Sequence, residues 1–336
     1  MRQAALLLTL LLVEQAPAQE RRWAPADLHA AAVRDVQALA PAARSLTRYL
    51  SLAGVPEKDR ARARQILGLH LNSLSTEADV VLPLEVPGTA GALLRLAYPD
   101  YGWPRAAWEK LAEAEPYYHV KTVRVVKKHW PGGTWTDGRH YTAGAYDAKE
   151  VVAAIAPWVA EGAGQAAAKL LVEGTQSQVP LVDARWFVWQ TAVNADRGGA
   201  GYYAFLGVKK KADFDKLAGF DRKLAEQAKI VELLETVAHS TVTLQPRRIE
   251  VHRALSGHYF STFDNAKAVD ERNPLRILNG GFRFDAQEFF HHLPNGLFAW
   301  GLANAAGELQ DTAPDTIASD ATAHGSDRRV HAGLSC

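Results

Sequence analysis

Up to about residue 235, apolar positions recur mostly at helical spacing, and from Thr236 onward the period shortens to that of strands. Pro25-Ala26-Asp27 opens the first predicted helix, with Asp27 as cap or first-turn acid. Leu28, Ala32, Val36 and Leu39 carry it to Pro41, and Leu46, Tyr49, Leu50 and Leu52 continue the pattern to the break at Gly54-Val-Pro56. A second helix is expected from Glu57 through Ile66, Leu67 and Leu71, with Arg60, Arg62 and Arg64 on a solvated face. Residues 93–98 read as a strand and 100–103 as the turn after it, and Pro104 starts a short helix through Trp108 and Leu111. Residues 121–128 are strand-like, and 130–138 form a loop in a candidate insertion. A helix over 146–171, kinked at Pro157, leads to a short buried run at 179–182. Asp183 then caps a helix bearing Trp186, Phe187 and Gln190, and residues 202–207 precede a charged helical stretch over 213–234.

Past that point, residues 241–244, 249–255 and 259–263 are short β-branched or aromatic runs separated by turn residues. Residues 275–284 and 297–302 add strands, with Asn279-Gly-Gly281 and Pro294-Asn-Gly296 as turns. The pattern predicts an α+β fold: a helix-rich N-terminal part followed by a strand-rich, mainly antiparallel C-terminal part. The expected division is 1–18 as a signal peptide, 19–235 helix-rich, 236–320 β-rich, and 321–336 as a terminal lead-in. No fixed-period repeat argues for a solenoid or propeller.

The signal peptide rests on Arg2, the apolar run of residues 4–13 and the small-x-small site Ala16-Pro17-Ala18. That run is about half the length a membrane-spanning helix needs, so cleavage near Ala18 and an exported protein, periplasmic or extracellular, are expected. With 38 basic against 37 acidic residues, the net charge of +1 supplies no field for nucleic acid or an anionic membrane. Export sits oddly with cysteine usage, because Cys336 is the one cysteine and cannot form a disulfide within the chain.

Candidate chemistry is sparse. No His-Glu-x-x-His occurs among the twelve histidines, and neighbours His291 and His292 point apart on a helix or strand, which suits structural or surface roles. A joint site would need partners such as His252 and His258 to converge. A hydrolase would need His119, His252 or His258 beside a carboxylate in a concave site. No Gly-x-Ser-x-Gly is present, and Ser73 and Ser75 near His70 do not make a triad. Asp100, Glu109 and Glu113 could pair for glycoside chemistry, against the plainer reading of capping and solvated helix faces. The glycine-rich Gly198-Gly-Ala-Gly201 lacks the Gly-Lys-Ser/Thr of a phosphate loop. Trp103, Trp130, Trp135, Trp186 and Trp189 would make a glycan or peptide groove if they lay together on the surface, and ordinary core anchors otherwise.

The terminal segments Leu293-Pro-Asn-Gly-Leu297, Ala313-Pro-Asp-Thr-Ile-Ala-Ser-Asp320 and Asp327-Arg-Arg-Val-His-Ala-Gly-Leu-Ser-Cys336 resemble a family of exported bacterial c-type-cytochrome-domain proteins. The resemblance extends to Arg48-Tyr-Leu-Ser-Leu52, His70-Leu-Asn-Ser-Leu-Ser75, Asp100-Tyr-Gly-Trp103, Pro116-Tyr-Tyr-His119 and Tyr202-Tyr-Ala-Phe-Leu-Gly207. It touches most of the mature chain at scattered islands whose order is more specific than any one of them. In that family Leu-Ser-Cys continues into Cys-x-x-Cys-His, where two thiols anchor haem c and the histidine ligates iron. The resemblance implies an accessory module of an electron-transfer protein, with Cys336 as the cofactor-binding residue and a redox protein as partner. This sequence departs from the pattern by containing only the first cysteine, and Met1 is its one methionine. Haem c therefore requires residues beyond Cys336. The alternative reading is a secreted aromatic-rich binding or scaffold domain without a redox role.

Overall fold

Pro25 fixes the first turn of α1 (Pro25–Ala38), Asp27 adds an acid to that turn, and Leu28, Ala32 and Val36 form its buried stripe. The structure, a computed structural model, describes residues 23–113, 136–137, 141–142, 163–192, 201–228, 232–237, 247–266, 283–314, 317 and 332. After the short α2 (Pro41–Arg44) comes β1 (Thr47–Ser51), and α3 (Glu57–Ser73) follows the break at Gly54-Val-Pro56. Strand β1 lies inside a four-stranded sheet. It pairs antiparallel with β3 (Leu93–Ala97) and parallel with β6 (Leu181–Asp183), and β2 (Leu84–Glu85) flanks β3. Between these strands run a 3-10 turn (Tyr98–Tyr101) and α4 (Arg105–Glu109). The hairpin β4 (Thr136–Asp137) and β5 (Tyr141–Thr142) falls partly in the expected 130–138 loop, whereas the strand expected at 121–128 lies outside the described residues.

The helical expectation for residues 46–52 fails because β1 is buried on both faces. Tyr49 packs with Leu28, Val36 and Leu171 under α1 and α5 (Ala163–Thr175), while Leu50 faces the main core with Leu94 and Val182. With two buried faces, a strand loses the apolar-polar alternation that would reveal it. Arg60 also departs from expectation: it is 4 % exposed, and donates from Nε to the Val55 carbonyl and from Nη1 to that of Ala90. The cap at Asp183 is borne out, since its Oδ1 accepts the Arg185 and Trp186 amides at the start of α6 (Ala184–Ala192).

The main core is aromatic. Trp103 meets Phe205 edge-on at 4.9 Å and Trp108 stacks on Phe187 at 5.3 Å. The indole N–H groups donate to the carbonyls of Leu74 and Val179. Phe205 comes from α7 (Tyr202–Phe205), after which α8 (Lys211–Ala218) ends at Gly219, with φ +64, and α9 (Arg222–Gln227) follows. The single charged helix expected over 213–234 is thus two short helices, and Leu233 already belongs to a strand.

The C-terminal part is an antiparallel six-stranded sheet in the order β12-β11-β10-β9-β8-β7. Its strands are β7 (Leu233–Val237), β8 (Arg247–Ala254), β9 (Gly257–Asp264), β10 (Ala286–His292), β11 (Phe298–Asn304) and β12 (Leu309–Gln310). The α+β expectation, helices first and an antiparallel sheet last, is met. Phe214 of α8 packs on Phe289 and His291, marking the sheet face that joins the core. Gly301 sits under the buried Phe289 ring, and a Cβ there would lie 2.3 Å from Cε2. Gly301→Ala is accordingly expected to destabilise the protein by about 1–3 kcal/mol in urea titration, because a core ring must shift. Among the described residues, no helix is long and apolar enough to cross a membrane.

Candidate functional site

The strand period divides the histidines. His252 and His291 fall on the core face of the C-terminal sheet, each beside Tyr259 in the register, whereas His258 and His292 fall on the other face. The joint His252–His258 site is therefore not formed, and His291 and His292 point apart as expected. Two polar networks instead occupy the core face.

The first is built by helical spacing. Lys211 and Asp215 stand one turn apart on α8, and Nζ donates to Oδ1 at 2.8 Å and Oδ2 at 2.7 Å. The Tyr259 hydroxyl also donates to Oδ1, and the ammonium lies 5.4 Å from the Tyr259 ring centroid and 5.2 Å from that of Phe289. The His291 ring lies parallel to Tyr259, and its Nδ1–H donates to the His292 carbonyl at 2.8 Å, because a carbonyl can only accept. That leaves His291 Nε2 a bare, buried lone pair with no hydrogen-bond partner. Burial lowers the Lys211 pKa despite Asp215, pushes the Tyr259 phenol well up with Asp215 adding to it, and lowers His291. Burial thus favours the neutral forms of Tyr259 and His291 around the Lys211–Asp215 contact. Tyr259, Phe289 and His291 are each 0 % exposed, so no substrate atom reaches them, and the cluster organises the core.

The second network centres on Glu250, which is 1 % exposed. Its carboxylate takes Arg248, Arg222 and His252 at 2.7, 2.9 and 3.1 Å. Burial pushes this carboxyl up, but His252 and the two guanidinium groups outweigh it and hold it below the usual range. Alternating polar residues at 248, 250 and 252 are a readable sign of an inward polar row, which the sequence reading passed over. The His–carboxylate contact imagined for a hydrolase exists at His252, yet both partners are buried. His258 meets Glu232 at 2.9 Å on the opposite face, beside Arg253 and His292.

The other candidates disperse. His70 reaches Thr191 Oγ1 at 2.8 Å, while Ser73 donates to the His70 carbonyl and Ser75 accepts the Glu77 amide. Glu109 is bound to the buried Arg48 at 2.8 Å rather than to another carboxylate. Cys336, His119, Trp130 and Trp135 lie outside the described residues. Among the described residues, no group of three or more histidines, cysteines and carboxylates could hold a metal ion.

What the structure adds is a cavity of about 630 Å³ where α4, the residues around α7 and the end of the C-terminal sheet meet. Lys110, Lys209 and Asp311 supply its charges, and Tyr203 and Val208 part of its apolar wall. The Tyr203 hydroxyl accepts the Leu302 amide at 2.8 Å and donates to the Gln310 carbonyl at 3.0 Å, which fixes the ring in place. Beside it the Asp311 carbonyl accepts the amide of Ala332, itself 5 % exposed. No sequence pattern marks this cavity, because its parts are spread from Pro104 to Asp311. No protein-family model, curated protein or solved structure matches the chain.

Proposed function

We propose that the chain is the exported accessory module of a c-type-cytochrome-like electron-transfer protein, a scaffold beside which a haem-bearing domain is held. One observation carries this reading: segments that bear the family resemblance, scattered in sequence, converge on one core. The Asn295 side chain, from the 293–297 segment, donates to the Asn72 carbonyl at 2.9 Å. Trp103 donates to Leu74 and packs on Phe205, and the Tyr202 hydroxyl accepts the Trp300 amide. Ala313, Ile317 and Ala332 are buried in the same cluster.

The residues of this chain do not by themselves fit a c-type haem. Attachment needs two thiols and a following histidine, and Cys336 is the one thiol present. Haem staining of residues 1–336, exported with c-type maturation factors, is expected to be negative. The product of the source gene in its own host is expected to stain; a source-gene product without covalent haem overturns the proposal. Of the rings behind the alternative aromatic-rich binding domain, Trp103 is 3 % exposed and Trp186 packs partly buried against the core, while Trp130 and Trp135 lie outside the described residues.

A further inference from the structure

We propose that the cavity between α4, α7 and the end of the C-terminal sheet binds a small amphiphile with one carboxylate head and an apolar body, independently of any role in electron transfer. Its volume, about 630 Å³, lies within the roughly 300–1,000 Å³ of small-molecule sites.

The wall chemistry selects the ligand. Ala106, Ala107, Ala204 and Val208 offer methyl groups, and Tyr203 offers a ring whose hydroxyl is already bonded to main chain at Leu302 and Gln310. That surface favours an apolar body. Gly207, with φ +70 and nothing within 4 Å of a built Cβ, leaves space on the same side. The charge at the wall is two ammonium groups, Lys110 and Lys209, against the single carboxylate of Asp311. Both lysines are exposed, and among the described residues no carboxylate pairs with either. The excess positive charge at the edge of an apolar hollow suits an anionic head, and the lysines come from different parts of the chain, so one ligand would bridge them.

Decanoate is the probe, titrated calorimetrically into the full chain, with decyltrimethylammonium as the cation of equal length. Saturable one-site binding of decanoate is expected, with none of the cation. Lys110→Glu and Lys209→Glu should each weaken binding at least about tenfold, the loss of one charge-assisted contact and its replacement by repulsion. Ala106→Trp, at an exposed helix position, should fill the cavity and abolish binding. Because the lining residues come from both parts of the fold, saturating decanoate should raise Tm by at least about 3 °C. No saturable decanoate binding, equal binding of the cation, or undiminished affinity in the charge reversals overturns the proposal. Should Ala106→Trp misfold, the two lysine variants decide alone.

Discussion

Glu109→Ala is expected to lower stability by about 3 kcal/mol or more, read as a fall in the urea midpoint at unchanged m. The reason lies with Arg48, which is 0 % exposed and sits on the buried strand β1. Its Nη1 donates to the carbonyls of Ser45 and Thr47, its Nη2 to Glu109 Oε1 at 2.8 Å, and its guanidinium stands 5.2 Å from the Tyr98 ring centroid. Burial lowers the Arg48 pKa, and Glu109 is the main group that works against this. Without that carboxylate a buried cation keeps only neutral carbonyl partners, and removing one member of a buried pair typically costs about 3–5 kcal/mol. Glu109 retains 25 % side-chain exposure, so the lower end applies. Its Oε2 also accepts the Gln178 amide at 3.0 Å, tying α4 to the segment leading into β6. Arg48→Met should cost less than Glu109→Ala, because it removes the charge together with its need for a partner. A loss below 1 kcal/mol for Glu109→Ala would mean that water reaches Arg48 and that the pair is ordinary.

The same residues show why parts of the fold were legible and others were not. Helix α3 follows a proline break and keeps helical spacing, and strands β8 and β9 are β-branched and aromatic runs, so local pattern and structure agree. Strand β1 was hidden because its two faces enter two different cores. Strand β10 was hidden for a related reason: Gln287, Phe289 and His291 take one face and Glu288, Phe290 and His292 the other, so each face mixes polar and aromatic groups. Phe290 stacks between Phe260 at 4.4 Å and Trp300 at 4.1 Å, a cross-strand ladder visible only once the register is known. Glu109 stands near Asp100 and Glu113 in sequence, yet its partner is Arg48, on a strand whose spacing suits a helix. Pairings of that kind depend on topology, and the cavity at the junction depends on it still more, since Lys110, Lys209 and Asp311 meet only when both parts have folded together.

Acidification from pH 7 to 5 is expected to remove about 2 kcal/mol of stability through His70 alone. Its Nε2–H donates to Thr191 Oγ1 at 2.8 Å, and the Thr191 hydroxyl is itself donated to the Phe187 carbonyl at 2.8 Å. The ring packs edge-on against Phe187 at 6.2 Å. Nothing charged favours the imidazolium, and burial lowers the pKa from 6.5 to about 4. Because the folded value is below the unfolded one, the unfolded chain takes up the proton first as pH falls. The contribution is complete above the unfolded pKa and is lost progressively between pH 6.5 and about 4. His29 and His291, both lowered by burial, act in the same direction as pH falls. Glu250, held below the usual carboxylate range, adds its loss only once pH falls through the carboxylate region. His70→Gln separates these terms, since a glutamine amide can still donate to Thr191 but does not titrate. Urea titrations at pH 7.5, 6 and 5 should show the variant losing about 2 kcal/mol less than the parent across the series. Parallel pH curves for the two proteins would place the imidazole in contact with water and remove it as a source of acid sensitivity.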